Sequence, residues 1–288
     1  MNKIEHSYAR HAVSEQQTSM PSCYLEPGSV DNWRHQRMLE LTRSIWRLLP
    51  KSKWITVGDG RYGSDANFLY ANGIDVIATS LTDEHLKYAK DKGFIPAFCA
   101  ENAERISMED NSVDFVLCKE AYHHFPRPPI ALYEMLRVAR IAVVLIEPID
   151  NPRLLDGLKQ IIKRVLRGDR EIQFETSGNF LYRLNLRELE KLMTAMGAED
   201  VLFKGINDFF HPRLSKYKKN EFNLGFVLTK FGIFLQNVFS RLGLLGYGLA
   251  CVVVFKQGAG SEIIACLKGS GFTHVELPKN PYVNSAAE

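Results

Sequence analysis

The chain has 288 residues, 45% of them hydrophobic and 24% charged, which is room for one large folded domain of ordinary globular composition. A formal net charge of +3 is too small to argue for a nucleic-acid partner. Five cysteines (Cys23, Cys99, Cys118, Cys251, Cys266) without a C-x-x-C pair suggest neither a disulfide framework nor a metal site, and fit a reducing, cytoplasmic setting.

Residues 1–30 have no clear period and lack the apolar run of a signal peptide; they are expected to be flexible. A single domain is expected over 31–288, with 151–248 contributing a substrate-binding insertion or lid. Asp31 caps a helix predicted through Leu49, with Trp33, Met38, Leu41, Ile45 and Leu48 as its apolar stripe. Trp54–Val57 reads as a short buried strand. It runs into Gly58-Asp59-Gly60-Arg61-Tyr62-Gly63, and Ser64-Asp65 opens a helix. A glycine turn between a strand and a helix start suits a nucleotide-type cofactor, because the backbone can pass close to it and the helix offers unpaired N–H groups. A glycine-rich surface turn has the same local pattern, so the rest of the chain must decide.

Strands are predicted at 74–78, 95–100, 113–118 and 142–146, alternating with helices that start at Asp65, Thr82 and Pro129. Several strands are apolar on both faces, which argues for a parallel sheet covered by helices on both sides. The expectation is a doubly wound α/β fold with seven strands, the last pair antiparallel.

After Asp150 the rhythm changes. A basic helix is expected over 153–167, and Asn185 with Glu188 forms a capping box for a helix over 186–196. Val201–Phe203 reads as a strand, and 205–222 is aromatic and basic. Leu224, Val227, Leu228, Phe231, Leu235, Val238 and Leu242 recur at helical spacing. The longest uncharged run there, Leu242–Phe255, is 14 residues, short of the roughly 20 that a membrane span needs. A core helix is the first reading, and a surface touching membrane or an apolar substrate is the second. Leu249–Phe255 is a strand; a helix over 261–268 and a short strand near 273–277 end the fold.

Four stretches in order, WITVGDGRYG, VIATSLTDEHLKYAKDKG, AENAERISMEDNSVDFVLCKEAYHHFPRPPIALYEMLRVAR and VVLIEP, resemble the class I S-adenosylmethionine-dependent methyltransferases of the small-molecule, type-11 sort. The resemblance covers residues 53–148, about a third of the chain. It implies a Rossmann-like fold, S-adenosylmethionine as cofactor and a small-molecule acceptor. It places Gly58, Asp59 and Gly60 against the methionine part, with Arg61 and Tyr62 nearby; Arg61 either pairs with the cofactor carboxylate or is a solvated loop residue.

Where the family usually has an acid for the ribose hydroxyls, this chain has Ser80, followed by Leu81; Asp83 either substitutes for that acid or caps a helix. Asn102-Ala103 aligns with the adenine-reading pair, and Asn102 can equally be a helix cap. Lys119 and Glu120 are expected to line the cofactor pocket, with Tyr122 on the substrate side. His123 or His124 is either the base or a shaping residue. Glu147 either orients the acceptor, serves as base, or simply pairs with an arginine. Tyr182, Arg183 and His211 are further substrate-binding candidates. Helix 31–49 and loop 205–222 are expected to form a lid, with Trp33, Arg34 and Arg37 closing over the cofactor. The His123, His124 and Glu147 cluster makes O-methylation the expected reaction, and the basic helix 153–167 with the amphipathic 224–242 segment suggests a sugar or a glycan or lipid-linked intermediate as substrate, with peripheral membrane contact left open. A non-catalytic cofactor-binding protein and a dinucleotide-dependent oxidoreductase are the rivals; the latter expects an acid where Ser80 stands.

Overall fold

The computed structural model describes residues 3–17, 28–151, 153, 155–157, 174, 179–211, 213–214, 216–280 and 282. One sheet organises them. Its strands are β1 (Lys53–Val57), β2 (Asp75–Ser80), β3 (Phe98–Ala100), β4 (Val113–Lys119), β5 (Ala139–Pro148), β6 (Asp200–Ile206), β7 (Leu249–Phe255) and β8 (Thr273–Glu276), in the order β3-β2-β1-β4-β5-β7-β6-β8. The first five are parallel. β7 runs antiparallel between β5 and β6, and β8 adds an antiparallel edge to β6. The short strand expected near 273–277 joins the sheet as β8, making eight strands rather than seven, and the expected antiparallel β6–β7 pair is accompanied by antiparallel pairs β5–β7 and β6–β8.

The helices are α1 (Lys3–Gln17), α2 (Val30–Leu39), α3 (Arg43–Leu48), α4 (Ser64–Ala71), α5 (Glu84–Asp91), α6 (Pro128–Val138), α7 (Leu186–Ala195), α8 (Leu224–Arg241) and α9 (Ser261–Gly269). β4 and β7 are buried along their whole length. Alternate residues feed two cores. Ile55, Val116 and Leu145 pack with Leu132 and Met135 of α6 and Leu189 and Met193 of α7. Trp54, Phe115 and Val144 pack with Leu69 of α4, Leu86 of α5 and Leu267 of α9. Helices on both faces explain why these strands read as continuous apolar runs.

Three expectations change, and a fourth falls largely outside the described residues. Residues 3–17, expected to be without regular structure, form α1. The helix predicted over 31–49 is broken by a 3-10 turn at Glu40–Thr42, where Thr42 Oγ1 donates to the Leu39 carbonyl at 2.7 Å. Of the basic helix expected over 153–167 only 153 and 155–157 are described, and the rest lies outside the described residues. The apolar stripe of α8 faces outward. The face it buries carries Gly225, Phe226, Thr229, Ile233 and Ser240. The reason is shape: a Cβ at Gly225 would sit 2.2 Å from the Tyr217 ring, and one at Gly232 2.9 Å from the Phe209 ring. Aromatic rings from the preceding loop need those glycines, so the smaller, less apolar face turns inward.

Candidate active site

The parallel strands end at one edge of the sheet, where Gly58, Ser80, Lys119-Glu120 and Glu147 follow or close β1, β2, β4 and β5. In open α/β sheets this edge holds the ligand.

After β4 the chain passes through Glu120, at φ 50°, into a 3-10 turn, Tyr122–His124. Glu147 anchors that turn from β5. Its Oε1 accepts from the amides of Ala121 and Tyr122, each at 2.9 Å, and its Oε2 lies 2.6 Å from His123 Nδ1. Glu147 is fully buried. Its carboxylate is therefore held by three groups of the chain itself and faces the histidine turn. Of the roles left open for it in sequence, it pairs with His123 rather than with an arginine. The His123 and His124 rings lie 3.9 Å apart. Residues 179–182 clamp the same turn from outside: the Tyr182 amide donates to the His123 carbonyl at 3.1 Å, and Asn179 Nδ2 donates to the His124 carbonyl at 2.7 Å. Ser7 of α1 donates to Asn179 Oδ1, so α1 reaches the histidine turn through one residue.

The glycine turn is shaped by the protein on its inner side. At Gly58, φ is +76° and a Cβ would lie 2.4 Å from the Ala121 Cβ; glycine lets the β1 and β4 loops touch. The Asp59 carboxylate turns into the helix. It accepts from the amides of Asp65 (3.2 Å) and Ala66 (2.9 Å) and from Thr56 Oγ1 (2.9 Å). The N–H groups expected to await a ligand at the start of α4 are thus partly taken by Asp59, and only the backbone of Asp59 is left to face a cofactor. Burial and the nearby Asp65 carboxylate push the Asp59 carboxyl up to about 7, against the pull of those donors.

Beside the turn lies a charged cluster that sequence reading only half assembled. Lys119 Nζ is buried and lies 3.2 Å from Asp65, 3.8 Å from Glu120 and 3.1 Å from His35 Nδ1. His35, on α2, also faces Glu120 Oε2 at 3.2 Å and Arg61 at 2.8 Å through Nε2, with Asp31 at 3.6 Å. His35 Nδ1 thus lies between the Lys119 ammonium and the Glu120 carboxylate, and Nε2 between Arg61 and Asp31. Burial and the Lys119 charge hold His35 below its ordinary value. Burial disfavours charge on Glu120, yet the contacts with His35 and Lys119 win and hold it well below the carboxylate range. Burial likewise opposes charge on Lys119, and the Asp65 and Glu120 carboxylates outweigh it. Asp31 and His35 are four residues apart and share a helical face, a signal present in the sequence but not used.

Helix α2 does come over the site, though through other residues than expected. Arg34 is buried between Asp208 and Asp31, and Arg37 reaches the Asn207 carbonyl at 3.3 Å and Asp208 at 3.8 Å. Trp33 packs edge-on against Phe226 at 4.9 Å. These three fasten α2 to the loop after β6 and to α8, and the face that meets the glycine turn is that of Asp31 and His35.

Ser80 is buried at the end of β2, and its carbonyl accepts from the Glu101 amide at 2.8 Å. Leu81 follows half-buried, and Asp83 precedes α5 without a side-chain capping bond. Asn102 Oδ1 accepts from the Glu104 amide at 2.9 Å, so the oxygen expected to read adenine closes a local turn; Ala103 next to it is buried. Tyr122 is buried, with its ring 6.2 Å from that of Tyr182. Tyr182 donates to Glu188 at 2.7 Å, and burial with that carboxylate pushes its phenol up to about 12. Arg183 and His211 are exposed, and His211 Nδ1 accepts from the Arg213 amide at 3.3 Å. Among the described residues no cluster of His, Cys, Asp and Glu is arranged to hold a metal ion.

Residues 55–146 match the family model described as "Methyltransferase domain". Among solved structures, the [4+2]-cyclase SpnF is 15% identical, with 88% of this chain and 97% of that chain covered and a TM-score of 0.53. A SAM-dependent methyltransferase from Archaeoglobus fulgidus is 15% identical, with 77% of this chain and 94% of that chain covered and a TM-score of 0.50. At such identities these two show a shared fold. A comparison with curated proteins by sequence gives no match. The matched residues 55–146 span the glycine turn, the histidine turn and β5, so over that stretch the chain is similar to a methyltransferase domain.

Proposed function

We propose that this chain is an S-adenosylmethionine-dependent methyltransferase acting on an oxygen of a small hydroxylated molecule, with His123 as the base. The observation that carries the reading is the 2.6 Å contact between His123 Nδ1 and Glu147 Oε2. A buried carboxylate accepts and does not donate, so the proton sits on Nδ1 and the lone pair on Nε2. That nitrogen takes the proton of the acceptor hydroxyl. Glu147 is a positioning residue: it sets the tautomer and ring plane of His123 and, through the Ala121 and Tyr122 amides, the turn that carries it. His124 packs against His123, and Tyr122 and Tyr182 shape the acceptor side.

The residues at the glycine turn fit the cofactor's amino-acid end. That end is a zwitterion, and Arg61 and Lys119 stand beside Glu120 and Asp31 in one cluster. Arg61 and Lys119 would face its carboxylate, and Glu120 its ammonium. Gly58, Asp59, Gly60 and Tyr62 would supply backbone around it, Ser80 and Leu81 the ribose side, and Asn102 and Ala103 the adenine side. The cofactor, when bound, supplies a methyl group on a sulfonium that is already activated; positioning then does most of the remaining work.

The test pairs calorimetry with transfer assays. His123→Ala is expected to bind S-adenosylmethionine as the parent does and to lose transfer to a panel of hydroxylated acceptors, sugars and lipid-linked glycans first. Full transfer by His123→Ala, or a product methylated on nitrogen or sulfur, would overturn the reading.

A further inference from the structure

Helix α8 presents an apolar stripe to the outside. Leu224, Leu228, Phe231, Leu235 and Leu242 follow at steps of four, three, four and seven residues, which places them on one narrow arc of the helix. Leu224 is 71% exposed, Phe231 55%, and Leu242 65%; Phe234 flanks the arc at 59%, and Phe222 just ahead of the helix is 97% exposed. Isolated exposed leucines are common, but a continuous row of large apolar side chains along 18 residues is not.

The charge around this row is one-sided. Between residues 213 and 241 the chain carries Arg213, Lys216, Lys218, Lys219, Lys230 and Arg241 against a single acid, Glu221, which pairs with Lys230. All six cations are exposed. The chain as a whole is only +3, so positive charge is concentrated where the apolar row begins. No helix among the described residues is long and apolar enough to cross a membrane.

We propose that α8, with the basic segment before it, docks on the surface of an anionic lipid bilayer. The helix lies in the plane of the interface, with Phe231 and Phe234 among the acyl-chain ends of the headgroups and the lysines against lipid phosphates and carboxylates. Charge complementarity selects this occupant: a second copy of the chain would bring the same six cations to the contact. The surface is mechanically joined to the site. The Val30 amide donates to the Tyr217 carbonyl at 2.8 Å, the Lys219 amide donates to the Gly28 carbonyl at 2.6 Å, and Trp33 rests on Phe226. The helix that holds His35 over the glycine turn is therefore seated on the docking segment, and docking brings the site edge to the lipid surface. The inference does not depend on which atom is methylated.

The experiment is flotation of the whole protein with vesicles of phosphatidylcholine alone and of phosphatidylcholine with about 30% phosphatidylserine. Binding to the mixed vesicles, weaker by at least about tenfold on pure phosphatidylcholine and at raised salt, is expected. Phe231→Ser/Phe234→Ser and Lys216→Ala/Lys218→Ala/Lys219→Ala should each lower binding by about tenfold or more with an unchanged melting temperature, since these side chains are exposed. Failure of the parent protein to bind mixed vesicles overturns the proposal. So does binding that both variants retain, or a concentration-dependent dimer that seals the face and is lost in Phe231→Ser/Phe234→Ser.

Discussion

Glu147 and His123 stand 24 residues apart in the chain and 2.6 Å apart in space. The carboxylate is sealed in the sheet edge, and in the proposed reaction the imidazole is the group that meets the acceptor. Glu147→Gln is expected to lower kcat by roughly 10- to 100-fold with little change in KM, because one oxygen still accepts from the turn amides while the hold on Nδ1–H weakens. Glu147→Ala should also cost stability, about 1–3 kcal/mol for each buried amide left unpaired. Steady-state kinetics and urea denaturation of the two variants separate these effects.

Lys119 is the cation of a buried group that includes Asp65 and Glu120. Lys119→Met removes the charge while leaving its carboxylates buried, and is expected to destabilise the fold by about 3–5 kcal/mol. Lys119→Met/Asp65→Asn should recover part of that loss. Thermal or chemical unfolding checks both, and a Lys119→Met protein as stable as the parent would show that the pair does not support the turn.

Asp59 supplies a pH signature. Its carboxyl is pushed up to about 7 from the 3.8 of the unfolded chain. Folding therefore takes up a proton between these values. The contribution is fully present at low pH and is lost as pH rises toward and through about 7. Asp59→Asn is expected to remove that slope and, with one acceptor fewer for the Asp65 and Ala66 amides, to cost about 1 kcal/mol of helix capping. Denaturation of parent and variant at about pH 5 and about pH 8 measures the difference.

Gly58→Ala tests the close approach of the two loops. The added Cβ meets the Ala121 Cβ at 2.4 Å, and the backbone sits at φ +76°. A loss of about 2–4 kcal/mol is expected from overpacking and the left-handed conformation together. Because Ala121 adjoins the histidine turn, the variant should also show altered kcat in the fraction that folds.

Much of the fold was legible because its causes are local. The alternation of apolar strands with capped helices from Trp54 to Ile146 requires a covered parallel sheet whatever the rest of the chain does, and Gly58 and Gly63 mark the one place where β1 turns into a helix. The spacing of His123 and Glu147 after successive strands suffices to place both at the carboxyl edge of the sheet. Other features were decided by partners distant in sequence. His35 belongs to the site only because Arg34 and Asp208, 174 residues apart, hold α2 across it. Asn179 joins the site through contacts with Ser7 and the His124 carbonyl, both remote in sequence. Asp59 looked like a ligand contact because a turn sequence does not say which way a carboxylate points. For α8, periodicity identified the stripe but chose the wrong side for it. Which face of a helix is buried depends on what fits against it, and the Tyr217 and Phe209 rings fit only at Gly225 and Gly232. The sequence by itself thus determined the elements and the sheet edge, through propensity and period. The tertiary structure alone decided which side chains meet there and which face of α8 remains outside, because those depend on shape and charge brought together from remote parts of the chain.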